Sequence, residues 1–228
     1  NLQKEIQSKA NPEKAKIYQR FFKTGKGQYG EGDIFLGLTV PESRAIAKKY
    51  ANLSLKDIKS LLKSEIHEER LIALLILVEN NKKSDKKEKI VNFYLKNRRY
   101  INNWDLVDLT ADKIIGNYLI DKEKEILYQL VKSSNLWERR IAIISTFHFI
   151  KNNQFEETLK ISKILLNDKQ DLIHKAVGWM LREIGKRSES TLKSFLADLY
   201  RRMPRTMLRY SIEKFSQEER EAYLFGKV

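Results

Sequence analysis

Asp171-Leu172-Ile173-His174-Lys175-Ala176-Val177-Gly178-Trp179-Met180-Leu181-Arg182-Glu183-Ile184-Gly185-Lys186 carries the reading of the fold. Ile173, Val177, Met180 and Ile184 recur every three or four residues, which builds one apolar stripe along an α-helix. Lys175, Trp179, Arg182 and Lys186 fall about 200° away from that stripe, on the opposite face. The same grammar extends outward in both directions. Ser54 to Lys63 is amphipathic through Leu55, Ile58, Leu61 and Leu62. Asn11-Pro12-Glu13 supplies an N-cap, a proline at the first helical position and an acid in the first turn of a helix running to about Lys23. Val40-Pro41-Glu42 opens another. Helical patterns follow over 66–80, 85–96, 104–119, 121–132, 135–150, 154–166, 170–186, 190–202, 205–210 and 216–224. Polar breaks such as Asn80-Asn81, Lys151-Asn152-Asn153 and Asn167-Asp168 separate them.

No convincing alternating strand interrupts this series. From residue 54 onward the helices arrive in pairs of roughly 35 to 40 residues, near the helical-repeat range, although no sharp consensus recurs. The expectation is a single all-α domain over 1–228, an α-solenoid of HEAT-like helical-hairpin repeats with a concave basic face. Such a face is long enough to follow a duplex.

Composition narrows the partners. The 228 residues carry a formal charge of +14, which points to a polyanion, and nucleic acid is the commonest one. Charge alone does not separate DNA from RNA or from an acidic membrane surface. The longest apolar run, Leu71–Val78, is far short of a membrane span. With no Cys there is no disulfide, thiolate ligand or thiol nucleophile, which fits a reducing cytoplasm. The chain opens at Asn1 rather than Met, so its natural start is an open question.

Trp104-Asp105-Leu106-Val107-Asp108 places an indole and a carboxylate four residues apart, on one face of a helix. A π-face beside an acid suits a cation and growing positive charge. The competing reading is a buried Trp beside a solvated Asp. Asp105 fits a first-turn or capping role, whereas Asp108 lies too far along to cap the start. Trp179 among Lys175, Arg182 and Lys186 is either a nucleic-acid contact or a packing residue among solvated cations. Arg140 emerges from a helix apolar nearly all round, so it either pairs with an acid or meets phosphate. Trp137 belongs to the core. Arg201, Arg202, Arg205 and Arg209 cluster as a further basic patch.

Gly25-Lys26-Gly27-Gln28-Tyr29-Gly30 matches G-x-G-x-x-G, but the dinucleotide reading needs a strand before it and a helix after it, and neither is indicated. A loop joining two helices is the better account. His67, His148 and His174 show no metal-ligand spacing, and no Ser/His/Asp arrangement can be argued.

Five blocks then carry a resemblance. They are Asn11-Pro12-Glu13-Lys14-Ala15, Phe35-Leu36-Gly37-Leu38-Thr39-Val40-Pro41, Trp104-Asp105-Leu106-Val107-Asp108, Trp137-Glu138-Arg139-Arg140 and His174 through Glu183. Together they resemble the bacterial DNA alkylation repair family of AlkD-like glycosylases over nearly the whole chain. The resemblance implies a HEAT-repeat solenoid that holds damaged duplex DNA and hydrolyses the N-glycosidic bond of cationic N3- or N7-alkylated purines. It implies Asp108 as the catalytic carboxylate and Trp104 and Trp179 as aromatics flanking the lesion's deoxyribose. Arg140 and Arg182 resemble its phosphate-contacting arginines, and the basic face around Trp179 adds Lys175 and Lys186 as candidate DNA contacts. No cofactor or metal is expected, and the expected partner is duplex DNA with alkylated bases, bound by a monomer. Two features depart from the pattern: the longer glycine-rich segment Gly25–Asp33, and Asn103 where some relatives carry a second aromatic. Two alternatives stand beside it, a non-catalytic binder of damaged or branched DNA and a protein-interaction scaffold.

Overall fold

A computed structural model describes residues 2–228 and is all-helical. Among the described residues there is no strand, only an isolated parallel bridge between Ile34 and Ile66. No helix among them is long and apolar enough to cross a membrane. The chain divides into two compact units, Asn1–Ile114 and Ile115–Val228.

The helices begin where their caps are. Asn11 accepts from the Lys14 amide at 3.0 Å and Pro12 follows, so the first long helix is Pro12–Phe21. Thr39 and Glu42 form a capping box at the head of Val40–Lys49, and Ser54 caps Leu55–Leu62. One α-helix is absent from the sequence reading, the short helix Leu2–Ser8, anchored by buried Leu2 and Ile6.

In the first unit the core is the His67–Lys83 helix, buried on all sides from Leu71 to Val78 and packed on Val40–Lys49 and Leu55–Leu62. The expected break at Asn80-Asn81 does not occur. Asn81 is buried, and its amide donates to the Lys113 carbonyl at 2.8 Å, so the helix runs on to Lys83. In the second unit the core is Asp171–Gly185, whose stripe of Ile173, Val177, Met180 and Ile184 has no exposed surface. Burying each such side chain contributes about 1.5–3 kcal/mol. This helix packs on Leu136–Ser145, Glu189–Leu199 and, most extensively, Arg205–Ser211. The last contact is close because residue 178 is glycine: a Cβ there would sit 2.6 Å from the Met207 carbonyl oxygen. Helices therefore pack mainly on near neighbours in sequence, as stacked repeats do.

Two helices expected to be continuous are broken, and the cause is the same in both. Over 104–119 the chain forms Trp104–Asp108, a turn, the π-helix Asp112–Gly116 and Asn117–Leu119. Over 135–150 it forms Leu136–Ser145 and Phe147–Lys151. Each break holds a fully buried threonine whose hydroxyl bonds back to a carbonyl of the preceding turn. Thr110 reaches Leu106 at 2.5 Å and Thr146 reaches Ile143 at 2.6 Å. Such back-bonding competes with the backbone ladder and bends or ends a helix.

Candidate active site

In the first unit the Trp104–Asp108 helix presents both expected residues on one face, each half-buried. Asn103 caps it by accepting from the Trp104 amide at 2.8 Å. Asp105 turns the other way and is 5% exposed. One of its oxygens accepts from the Leu106 amide at 2.8 Å, the expected first-turn role, and the other meets His67 Nε2 at 2.8 Å.

His67, which the sequence showed only to lack metal-ligand spacing, holds the other side of this helix. It is 1% exposed, and its Nδ1 lies 3.2 Å from Asp33, which also pairs with Arg70 at 2.7 Å. Burial alone would depress the imidazole pKa; the Asp105 carboxylate, joined by Asp33, reverses this and raises it from 6.5 to about 9. Burial pushes the Asp33 carboxyl up, and the hydrogen bond from His67 and the Arg70 charge outweigh that, so it lies below its ordinary value. A signal was present in the sequence. His67-Glu68-Glu69-Arg70 puts four titratable groups directly before the Leu71–Val78 run, and charges at the head of a buried helix must find partners. Glu68 finds its own in the amides of Leu36, Gly37 and Leu38, at 2.7–3.2 Å, which pins the Phe35–Thr39 segment.

A column of rings joins this cluster to Trp104. His67 stacks on Phe35 with centroids 4.4 Å apart, Phe35 on Phe22 at 4.8 Å, and Phe22 on Trp104 at 5.0 Å and an interplanar angle of 10°. Phe21 meets the Trp104 ring edge-on at 5.7 Å and is itself 60% exposed. A cavity of about 210 Å³ opens beside the column, lined by Tyr18, Phe21, Leu38, Trp104 and Asp105 among others.

The glycine-rich segment is a loop, and it is not arranged as a nucleotide cradle. The amides of Gly25 and Gly27 are taken by Gln28 and Glu31 of the same loop, the latter a carboxylate where a phosphate would have to sit. Around the loop and the preceding helix, Lys16, Arg20, Lys23 and Lys26 are exposed and make no ion pair among the described residues.

In the second unit Trp179 is half-buried; its ring lies 5.6 Å from Phe147, and its indole N–H donates to Glu183 at 3.3 Å. The cations grouped with it all have acidic partners. Lys175 pairs with Asp171 at 2.8 Å, Lys186 with Glu183 at 2.6 Å, and Arg182 with Glu213. Arg140 is 5% exposed, and its guanidinium donates to the Leu172 carbonyl, so it ties two helices together from inside. Arg139 beside it grips Asp168 at 2.6 Å. Trp137 is core, at 8% exposed.

No curated protein sequence matches the chain. The solved structure of a protein described as a predicted DNA alkylation repair enzyme from Enterococcus faecalis shares the fold, with a TM-score of 0.74 at 19% identity over 91% of this chain and 97% of the other. The family model for DNA alkylation repair enzymes matches residues 2–215. The chain belongs to the DNA alkylation repair enzyme family.

Proposed function

We propose that the protein is a monofunctional DNA glycosylase that hydrolyses the N-glycosidic bond of cationic N3- or N7-alkylated purines in duplex DNA, acting as a cytoplasmic monomer. The observation that carries this reading is the pairing of Trp104 with Asp108 on one half-exposed face of a short helix. An alkylated purine is already cationic. When the bond from C1′ to the base nitrogen breaks, its electron pair neutralises the base, so no strong acid is needed to help it leave. The positive charge passes to the sugar as an oxocarbenium-like centre. Asp108 opposes that charge and orients the water whose oxygen adds to C1′, the released proton passing through the carboxylate to solvent. The product is an abasic site. Trp104 holds the cationic nucleoside by its π-face, a contact worth about 0.5–2 kcal/mol, and Trp179 is proposed as an aromatic contact to the DNA.

Backbone contact falls to Lys175, Arg182 and Lys186, whose partners are carboxylates that a phosphate replaces. Arg140 supports the helix that carries them, through Leu172. The unpaired Lys16, Arg20, Lys23 and Lys26 add to the attraction for a polyanion.

The test is release of 7-methylguanine or 3-methyladenine from alkylated duplex DNA. Wild type is expected to release base, and Asp108→Asn to do so at least about a hundredfold more slowly, as when one electrostatic stabiliser is removed. Equal rates would exclude Asp108 as the catalyst. Release by neither protein would leave a non-catalytic binder of damaged or branched DNA as the surviving reading.

A further inference from the structure

We propose that His67 is a positioning residue: clamped between Asp33 of the glycine-rich loop and Asp105 of the Trp104–Asp108 helix, it lets that loop set the placement of Trp104 and Asp108. The inference deepens the glycosylase reading and rests on it for its kinetic arm only.

A five-residue helix has no stability of its own, since nucleation alone outweighs its few hydrogen bonds. Its direction has to come from what it is tied to. Leu106 and Val107 are buried, but apolar contact is non-directional. Directional restraint comes from Asp105, held at 2.8 Å by His67. His67 in turn heads the longest buried helix of the first unit, whose side chains from Leu71 to Val78 are at most 4% exposed. The clamp is therefore fixed at its base and grips the candidate catalytic helix one residue after Trp104 and three before Asp108.

The loop closes the clamp from the other side. Asp33 reaches His67 Nδ1 at 3.2 Å, Arg70 at 2.7 Å and the Asn102 amide at 3.4 Å. Gly30 presses on the same region: a Cβ there would stand 2.4 Å from the Phe22 carbonyl oxygen and 3.5 Å from Asn103 Nδ2. The loop thus touches Asn102, Asn103 and, through His67, Asp105, all within one turn of Trp104. Phe22, whose ring stacks on Trp104, receives it as well.

The geometry also defines the charge state. Both ring nitrogens face carboxylate oxygens, so both must donate, and only the imidazolium has two N–H groups. Two carboxylates, Asp33 and Asp105, are then balanced by two cations, His67 and Arg70. Glu68, next along, is turned to the Leu36–Leu38 amides, and Phe22 and Phe35 present uncharged rings. Loss of the proton would leave one ring nitrogen with its lone pair against a carboxylate, and the clamp would open.

The experiment compares wild type, His67→Gln and Asp33→Asn in single-turnover base release, DNA affinity and the NMR of the Trp104 indole N–H. Both variants are expected to lower the release rate about tenfold or more, as a small misplacement of catalytic groups does. DNA affinity should stay within about twofold, because no phosphate contact is removed. The Trp104 indole resonance should shift while that of Trp137 stays in place. Folded variants with wild-type rates and an unmoved Trp104 resonance would overturn the proposal. Should wild type release no base, the glycosylase reading fails while the indole shift still decides the clamp. If neither variant folds, the wild-type pH profile decides. The release rate, or the Trp104 resonance where there is none, should change with the same midpoint as the His67 ring nitrogens, near 9. A His67 that is neutral at pH 7, or non-coincident midpoints, would overturn it.

Discussion

In the unfolded chain the His67 imidazole titrates near 6.5, and in the folded protein near 9, because Asp105 and Asp33 hold its proton against the opposing effect of burial. Below 6.5 both states are protonated and the clamp contributes its full stabilisation. Between 6.5 and 9 the unfolded chain sheds the proton while the folded one keeps it, so stability falls as pH rises, and above 9 the contribution is gone. The interval corresponds to about 3 kcal/mol. Asp33 works with the opposite sign: its carboxyl is held below 3.8, so its contribution is present above that value and disappears as pH falls through the folded one. Denaturant melts of wild type should therefore show a decline from pH 6.5 to 9 that His67→Gln lacks; identical slopes would show that the imidazole is neutral. Why the partners of this residue escaped the sequence reading is a matter of distance along the chain. Trp104 and Asp108 are four apart, and any helix brings them together. His67 acts on partners 34 and 38 positions away, a separation at which no local period speaks.

At the scale of elements, most of the helices were legible, because caps and apolar stripes are local and this chain places them clearly. What was hidden depended on burial. Thr110 and Thr146 look unremarkable inside apolar helical patterns, and only when both are enclosed do their hydroxyls turn to a backbone carbonyl and end the helix. The first of these breaks matters to the site, since it terminates the Trp104–Asp108 turn one residue after the carboxylate. Gly178 shows the reverse case, a residue that reads as a defect in a helix and is a requirement of packing. The added methyl of Gly178→Ala would meet the Tyr210 Cβ at 2.5 Å and the Met207 carbonyl oxygen at 2.6 Å. Backbone cannot give way as a flexible side-chain end does, so the Arg205–Ser211 helix must move off. The expected loss is about 1–3 kcal/mol, against the slight gain that alanine brings to an open helix. A thermal melt checks it: a variant as stable as wild type would mean that the two helices already have room to separate.

For the whole molecule the decisive quantity is how the charge of +14 is distributed between paired and unpaired groups. The sequence puts Lys175, Arg182 and Lys186 opposite the apolar stripe of the Asp171–Gly185 helix, but it did not reveal that Asp171, Glu183 and Glu213 would answer them. These carboxylates come from the next turn or, for Glu213, from beyond the following helices. The Lys175–Asp171 pair is exposed and worth about 0–1 kcal/mol, so a phosphate can take the carboxylate's place at little cost, whereas Glu183 and Arg182 are more enclosed and their exchange costs more. If Arg182 makes such an exchange, Glu213 is a competitor for DNA rather than a contact. Removing its charge in Glu213→Gln should then tighten duplex binding, whereas Arg182→Ala should weaken binding and flatten the salt slope by about one. The double variant should bind more weakly than Glu213→Gln alone, because the Arg182 contact is lost; Glu213 also pairs with Lys214 at 3.1 Å, so its removal keeps a small effect of its own. Fluorescence anisotropy on a short duplex across a salt series reads all three. A Glu213→Gln protein that binds no better than wild type would remove Arg182 from the phosphate set and shift the burden of binding to Lys16, Arg20, Lys23 and Lys26 in the first unit.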